Sequence, residues 1–184
     1  MPEFDAAHLR TALRKLPEKE KDALLLRSVR RDAEWRATLA YELLPEVTRD
    51  TVYEAVSGRI HELLTDVSGY QLARFLTKTL KKAIAEINYA RRITGERALE
   101  IDLFAYLLRE LFDNYSGQLD SQYTLFYKAV AKLVIRLIKL IQKYLHEDLW
   151  LDYESEIADW LRQLRARPHR ATELGLELPI GLQP

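Results

Sequence analysis

The stretch SQYTLFYKAVAKLVIRLIKLIQKYLH, residues 121–146, sets the reading of the whole chain. It contains no Gly, Pro or acidic residue, and its apolar positions recur with the period of a helix. At about 100° per residue, Lys128, Lys132, Arg136, Lys139 and Lys143 fall within an arc of roughly 80°. Val130, Leu133, Val134, Leu137, Ile138 and Ile141 fill most of the remaining circumference. A helix apolar over so much of its surface needs cover on several sides. This segment is therefore expected to be the central helix of the fold.

Carrying the same count past His146 reverses the faces. Trp150, Ile157, Leu161 and Leu164 land on the formerly basic side, and Asp148, Asp152, Glu156 and Asp159 on the formerly apolar side. A straight helix would exchange its buried face midway, so a break or sharp bend is expected between His146 and Leu149. Charge segregates at the same place: residues 121–146 hold five bases and no acid, and residues 147–160 hold six acids and no base. Two such stripes suit an antiparallel hairpin in which they neutralise one another. The functional alternative is a basic ridge for a phosphate backbone.

Working outward, Gly and Pro punctuate the rest of the chain, six of each. A short helix is expected from Asp5 to Lys15. A second opens at Pro17 and runs to Arg31, and a third is N-capped by Asp32 and ends before Pro45. The fourth starts at Asp50 or Thr51, where Thr51 and Glu54 have capping-box spacing, and ends at Ser68-Gly69. The fifth covers residues 70–94 and is stopped by Gly95, and the sixth covers 97–113. The fold class is all-α: an irregular multi-helix bundle or short HEAT-like stack of seven to eight helices. One helical domain is expected over residues 1–167, followed by an extended tail over 168–184.

Composition narrows the classes further. The 184 residues carry 28 basic and 28 acidic side chains, so no global field favours nucleic acid or an anionic membrane, and charge-driven binding must be local. With no cysteine there is no disulfide, thiolate nucleophile or Cys-ligated metal. The most apolar run, residues 129–141, is interrupted by Lys132, Arg136 and Lys139 and is shorter than the roughly 20 residues of a membrane span. No signal-peptide run opens the sequence. A soluble cytoplasmic protein with no membrane association is expected.

Motifs for chemistry are sparse. His8, His61, His146 and His169 are scattered, Asp5-x-x-His8 is a single half of a di-metal pattern, and His146-Glu147-Asp148 point in different directions on a helix. Glu110-x-x-Asp113 and Glu156-x-x-Asp159 have the spacing of one acidic pair of a helical pyrophosphatase, with no Glu-x-x-Glu upstream. There is no phosphate loop and no nucleophile elbow. No catalytic residue, metal ligand or cofactor is assigned.

Binding surfaces are better represented. The fifth helix carries a second basic row, Arg74, Lys78, Lys81 and Arg92, with Asn88 on the same side. Together with Lys128, Lys132, Arg136, Lys139 and Lys143 it is a candidate face for nucleic acid or an acidic partner. Trp35, Trp150 and Trp160 suit either contact surfaces or a core. In the tail, Leu174, Leu176, Leu178, Ile180 and Leu182 alternate with Gly, Glu and Pro, an extended pattern that fits a groove on its own domain or on a partner.

Residues 22–44, with Leu24, Leu25, Leu26, Asp32 at the turn, Trp35-Arg36 and Leu39, resemble a single HEAT-type helical hairpin, in which a turn Asp precedes an apolar-Arg pair. The pattern does not recur at a period of about 40 residues. Were later helices to stack alike, the resemblance would imply a protein-binding scaffold. The function expected from sequence is a noncatalytic helical protein-interaction or scaffold module with a protein partner or self-association. The alternatives are nucleic-acid binding through the basic helix faces and an enzyme with a dispersed acidic site.

Overall fold

The computed structural model describes residues 5–182, all-α, with nine α-helices and no strand among them. The chain divides into two compact units, Met1–Pro45 and Glu46–Pro184, where a single helical domain through residue 167 was expected.

The first unit holds α1 (Ala6–Lys15), α2 (Glu18–Arg31) and α3 (Ala33–Leu43). Asp32 caps α3 as its sequence position implies, its carboxylate accepting from the N–H groups of Glu34 at 2.9 Å and Trp35 at 3.1 Å. The helices α2 and α3 pack together as the hairpin suggested by the HEAT-type pattern. None of the described residues of this unit is buried, and Leu24, Leu25, Leu26, Trp35 and Leu43 are exposed.

The second unit is built on α4 (Arg49–Thr65), α5 (Leu72–Thr94), α6 (Arg97–Tyr115), α7 (Thr124–Tyr144), α8 (Leu151–Arg165) and the short α9 (Pro168–Glu173). The helix α4 begins slightly before the expected Asp50 or Thr51. Thr48 is the cap, and its reciprocal partner is Thr51, whose hydroxyl accepts from the Thr48 N–H at 2.9 Å. A threonine hydroxyl three residues on thus replaces the glutamate of the usual capping box. Gly95 ends α5 at a φ of 72°, a left-handed conformation that strains any residue with a Cβ.

The long helix expected at 121–146 is α7, and nine of its residues are buried, from Phe126 to Ile141. It packs against α5, α6 and α8. The centre is shared with α6, which has ten buried residues and is flanked by α4, α5 and α7, with α8 reaching it through side chains. The expected break is present: α7 stops at Tyr144, a 3₁₀ turn spans Glu147–Leu149, and α8 begins at Leu151. The Trp150 indole N–H donates to the Leu145 carbonyl across it at 3.3 Å. With the chain reversed, Ile157, Trp160, Leu161 and Leu164 face the same core as α7. Trp160 is buried and stacks on Phe112 at 5.6 Å.

The extended tail starts later than expected, because residues 168–173 are helical. A clamp ties α9 to the loop before α7: Arg167 grips the Asp120 carboxylate, and Arg170 donates to the carbonyls of Asp120 and Ser121, each at 2.7 Å. Leu174, Leu176, Leu178 and Leu182 then pack against the core of their own unit, leaving Ile180 exposed. The alternation is that of a strand, yet the segment is covered by side chains of its own unit rather than by a sheet, and Pro179 has no backbone donor for a ladder. Among the described residues no helix is long and apolar enough to cross a membrane.

Leu137 is fully buried, so Leu137→Asp should destabilise the protein by about 3 kcal/mol or more. Urea denaturation measures this, and an unchanged midpoint would place α7 outside the core.

The Arg167 guanidinium beside Asp120 holds its carboxyl below the usual carboxylate range. A depressed folded pKa gives stability that is present above the unfolded value of about 3.9 and is lost as pH falls through the folded one. Asp120 is largely exposed, so the effect is at most about 1 kcal/mol. Asp120→Asn should therefore melt below wild type at pH 7, with the difference closing as the pH drops below 4 in paired thermal scans.

Candidate functional site

Directions of the helices place the two basic rows. The helix α6 runs antiparallel to α5, from which a two-residue turn separates it, and antiparallel to α7, because Arg97 at its start lies over the Tyr144 ring at the end of α7. The helices α5 and α7 therefore run in the same direction, and Arg136 on α7 donates to Asn88 on α5 at 2.9 Å. The row Arg74, Lys78, Lys81, Arg92 and the row Lys128, Lys132, Arg136, Lys139, Lys143 lie on neighbouring helices. At 1.5 Å per residue they extend for roughly 22 to 27 Å.

The acids near these rows do not neutralise them. Glu156 of α8 accepts from Arg109 of α6 at 2.6 Å, Asp159 pairs with Arg162 of its own helix, and Asp148 with His146. The hairpin neutralisation expected between 128–143 and 148–159 is thus not formed, because α8 turns its acids toward α6 and solvent once its apolar face joins the core. The acids of α6 are engaged elsewhere too: Asp102 binds Arg49 and the Tyr153 hydroxyl, and Glu110 lies 3.4 Å from His61. Among the described residues Arg74, Lys78, Lys81, Lys128, Lys132, Lys139 and Lys143 have no carboxylate within ion-pair distance.

Arg136 is the exception, and its partner is unusual. Glu100 of α6 is the buried acidic residue of the core, 2% exposed. Its carboxylate meets Arg97 at 2.7 Å, Arg136 at 3.1 Å and, more distantly, Arg91 at 3.9 Å. One negative charge is shared among three guanidinium groups. The Arg91 Nε is buried without a hydrogen-bond acceptor, and the Arg136 guanidinium carbon lies 4.3 Å from the centre of the Phe104 ring. Both hydrogen bonds of Arg136 leave from Nη2, to Asn88 and Glu100. From sequence Arg136 belongs to the basic row, and Glu100, with Asp102, Glu110 and Asp113, only to an acidic sixth helix that counts against nucleic-acid binding. An acid in the first turn of α6 reads as an ordinary response to the helix dipole, and only burial separates it from other acids.

Aromatic rings interleave the cations. Phe75 is 45% exposed with Lys78 over its ring, Arg92 lies over Tyr89, and Lys143 over Tyr144, which is 38% exposed. On α7 a shallow groove of about 440 Å³ is lined by Lys132, Arg136, Lys139, Lys143 and Tyr144 over Ile135 and Leu140. A second hollow of about 630 Å³ opens at the amino ends of α5 and α7, between Tyr70, Arg74, Gln118 and Gln122. Arg91, Arg92 and Lys143 also lie in the last turns of their helices, where they offset the negative carboxyl-terminal partial charges.

The acidic motifs do not converge. Glu110 turns to α4 and Glu156 to Arg109, so Glu110-x-x-Asp113 and Glu156-x-x-Asp159 do not form a facing pair. Among the described residues no three His, Asp or Glu side chains gather as a metal site. The α4–α6–α8 side holds Tyr53, Tyr106 and Tyr153 instead. Burial, then the neighbouring Glu110 carboxylate, pushes Tyr106 up to about 12, and burial with the Asp102 hydrogen bond raises Tyr153. Tyr106 and Tyr153 stay protonated at neutral pH and donate to Glu110 and Asp102.

Comparison with known proteins finds no family model, characterised protein or solved structure that matches the chain.

Removing the shared anion should be costly. Glu100→Gln leaves Arg97 and Arg136 without their charge partner and should destabilise the fold by about 2 kcal/mol. A double-mutant cycle with Arg136→Gln, read by urea denaturation, should return a coupling of about 1 kcal/mol or more, and strict additivity would show that the pair does not interact.

Proposed function

We propose that the chain is a noncatalytic binding module and that the α5–α7 face is its working surface, receiving a single-stranded nucleic acid. One observation carries the reading: two basic rows lie on adjacent helices, and seven of their nine cations have no acidic partner among the described residues. A charge row that no internal acid answers is available to an external anion. The rings of Phe75, Tyr89 and Tyr144 beside those cations favour a strand with exposed bases over an acidic protein, since bases stack on aromatic platforms while phosphates displace counterions. Net neutrality of the chain does not oppose this, because α7 carries no acid and α5 only Glu86, which pairs with Arg59 of α4.

Fluorescence anisotropy with a labelled thymidine oligonucleotide at low salt tests the proposal. Lys81→Gln with Lys132→Gln should weaken binding and reduce the slope of log K against log salt by about 1.4, at roughly 0.7 per phosphate contact on single strands. Absence of binding at micromolar protein and low salt would end this reading.

A second reading, protein interaction, is favoured by the first unit. Three helices without a buried residue leave Leu24, Leu25 and Leu26 uncovered, an apolar surface suited to another protein. A protein partner retained by the Lys81/Lys132 variant and released by Leu25→Asp would support it.

A further inference from the structure

We propose that the groove on the outer face of α7, between Arg136 and Tyr144, is a phosphate subsite. The inference rests on the α5–α7 face being a binding surface for phosphate-bearing strands, and it assigns a defined position within that face. Three observations carry it. Arg136 is held in place by Asn88 and the buried Glu100, both accepting from its Nη2, with the Phe104 ring 4.3 Å from its guanidinium carbon. Its guanidinium is consequently oriented before any ligand arrives, which reduces the entropy lost on binding. It is also the one arginine in a row of lysines, and with Nη2 engaged by Asn88 and Glu100 its Nη1 is left to donate to a phosphate oxygen as a permanently charged donor.

The second observation is the balance of charge. Arg91, Arg97 and Arg136 share the single Glu100 carboxylate, and Arg91 keeps a buried Nε with no acceptor. This cluster holds more positive charge than its own acid neutralises, in surroundings partly shielded from water, where charge acts at longer range. The third is the shape of the groove. Lys139 and Lys143 stand exposed one helical turn apart beside Arg136, without an acidic partner among the described residues, above a floor formed by Ile135 and Leu140. The acceptor this arrangement lacks is a compact anion with several oxygens. A phosphate supplies it, either as a free anion or as one link of a strand.

The test uses the full chain and inorganic phosphate, followed by phosphorus NMR line broadening at constant ionic strength with chloride as the control. Wild type should show saturable broadening. Lys139→Gln/Lys143→Gln removes two exposed cations without acidic partners among the described residues and should leave the fold intact, as a thermal melt verifies, while weakening phosphate binding by about tenfold or more. Lys78→Gln/Lys81→Gln, on α5, should leave phosphate binding unchanged. Phosphate behaving like chloride, or equal loss in both double variants, would overturn the subsite. Adding a thymidine oligonucleotide identifies the source: displacement of bound phosphate supports a strand phosphate, and retention of phosphate supports a free anion. If the oligonucleotide binds and phosphate does not, the subsite fails and the strand-binding face stands. If phosphate binds and the oligonucleotide does not, the face fails and the subsite stands.

Discussion

Burying α6 constrains everything else in the second unit. Ten of its residues, from Leu99 to Phe112, are withdrawn from water, and they lie on more than one side of the helix. No single neighbour covers such a surface, so α4, α5 and α7 pack directly around it and α8 joins through side chains. At roughly 25 cal/mol for each Å² of apolar surface removed from water, this arrangement is the main source of stability. The polar positions of α6 must then find partners between its neighbours. Asp102, Arg109 and Glu110 do so toward α4 and α8, and Glu100 toward α5 and α7.

That division of labour explains why one face of a neutral protein is basic. Asp102 and Glu110 of α6 and Glu156 of α8 are drawn to the α4–α6–α8 side, where they pair with Arg49, His61 and Arg109, and Asp102 also accepts from the Tyr153 hydroxyl. The outer surfaces of α5 and α7 receive none of them. Glu100 is the one buried acid among the described residues, and its three arginine neighbours make it an organiser of positive charge more than a neutraliser of it. A buried ion pair of this sort adds little net stability against an apolar replacement, while fixing which side chains occupy which positions. Arg136 is held in one orientation as a result.

Much of this was legible from residue order alone. Periodicity located α5, α6 and α7, Gly95 marked the end of α5, and Asp32 marked the start of α3. The face reversal after His146 located the break between α7 and α8, since a helix cannot bury opposite sides along one straight axis. The tail's alternating leucines announced that they would be covered. What covered them was open, and in the folded chain Leu174, Leu176, Leu178 and Leu182 meet the core of their own unit. The matching spacing of Lys128–Lys143 and Asp148–Asp159 suggested mutual neutralisation. Spacing along a helix, however, says nothing of how two helices rotate about their axes, and burial of Ile157, Trp160 and Leu161 turned the acids away.

The sequence by itself determined the helices, their ends, their apolar faces and the residues that make up the two basic rows, because these follow from local geometry and from the pattern of side chains within each segment. Tertiary structure decided which charges meet. Glu100 joins Arg91, Arg97 and Arg136 from three helices, and the lysines of α7 remain without carboxylate partners among the described residues. Pairing depends on distances of a few ångströms between segments far apart in the chain, and packing of the apolar core sets those distances before any charge is matched.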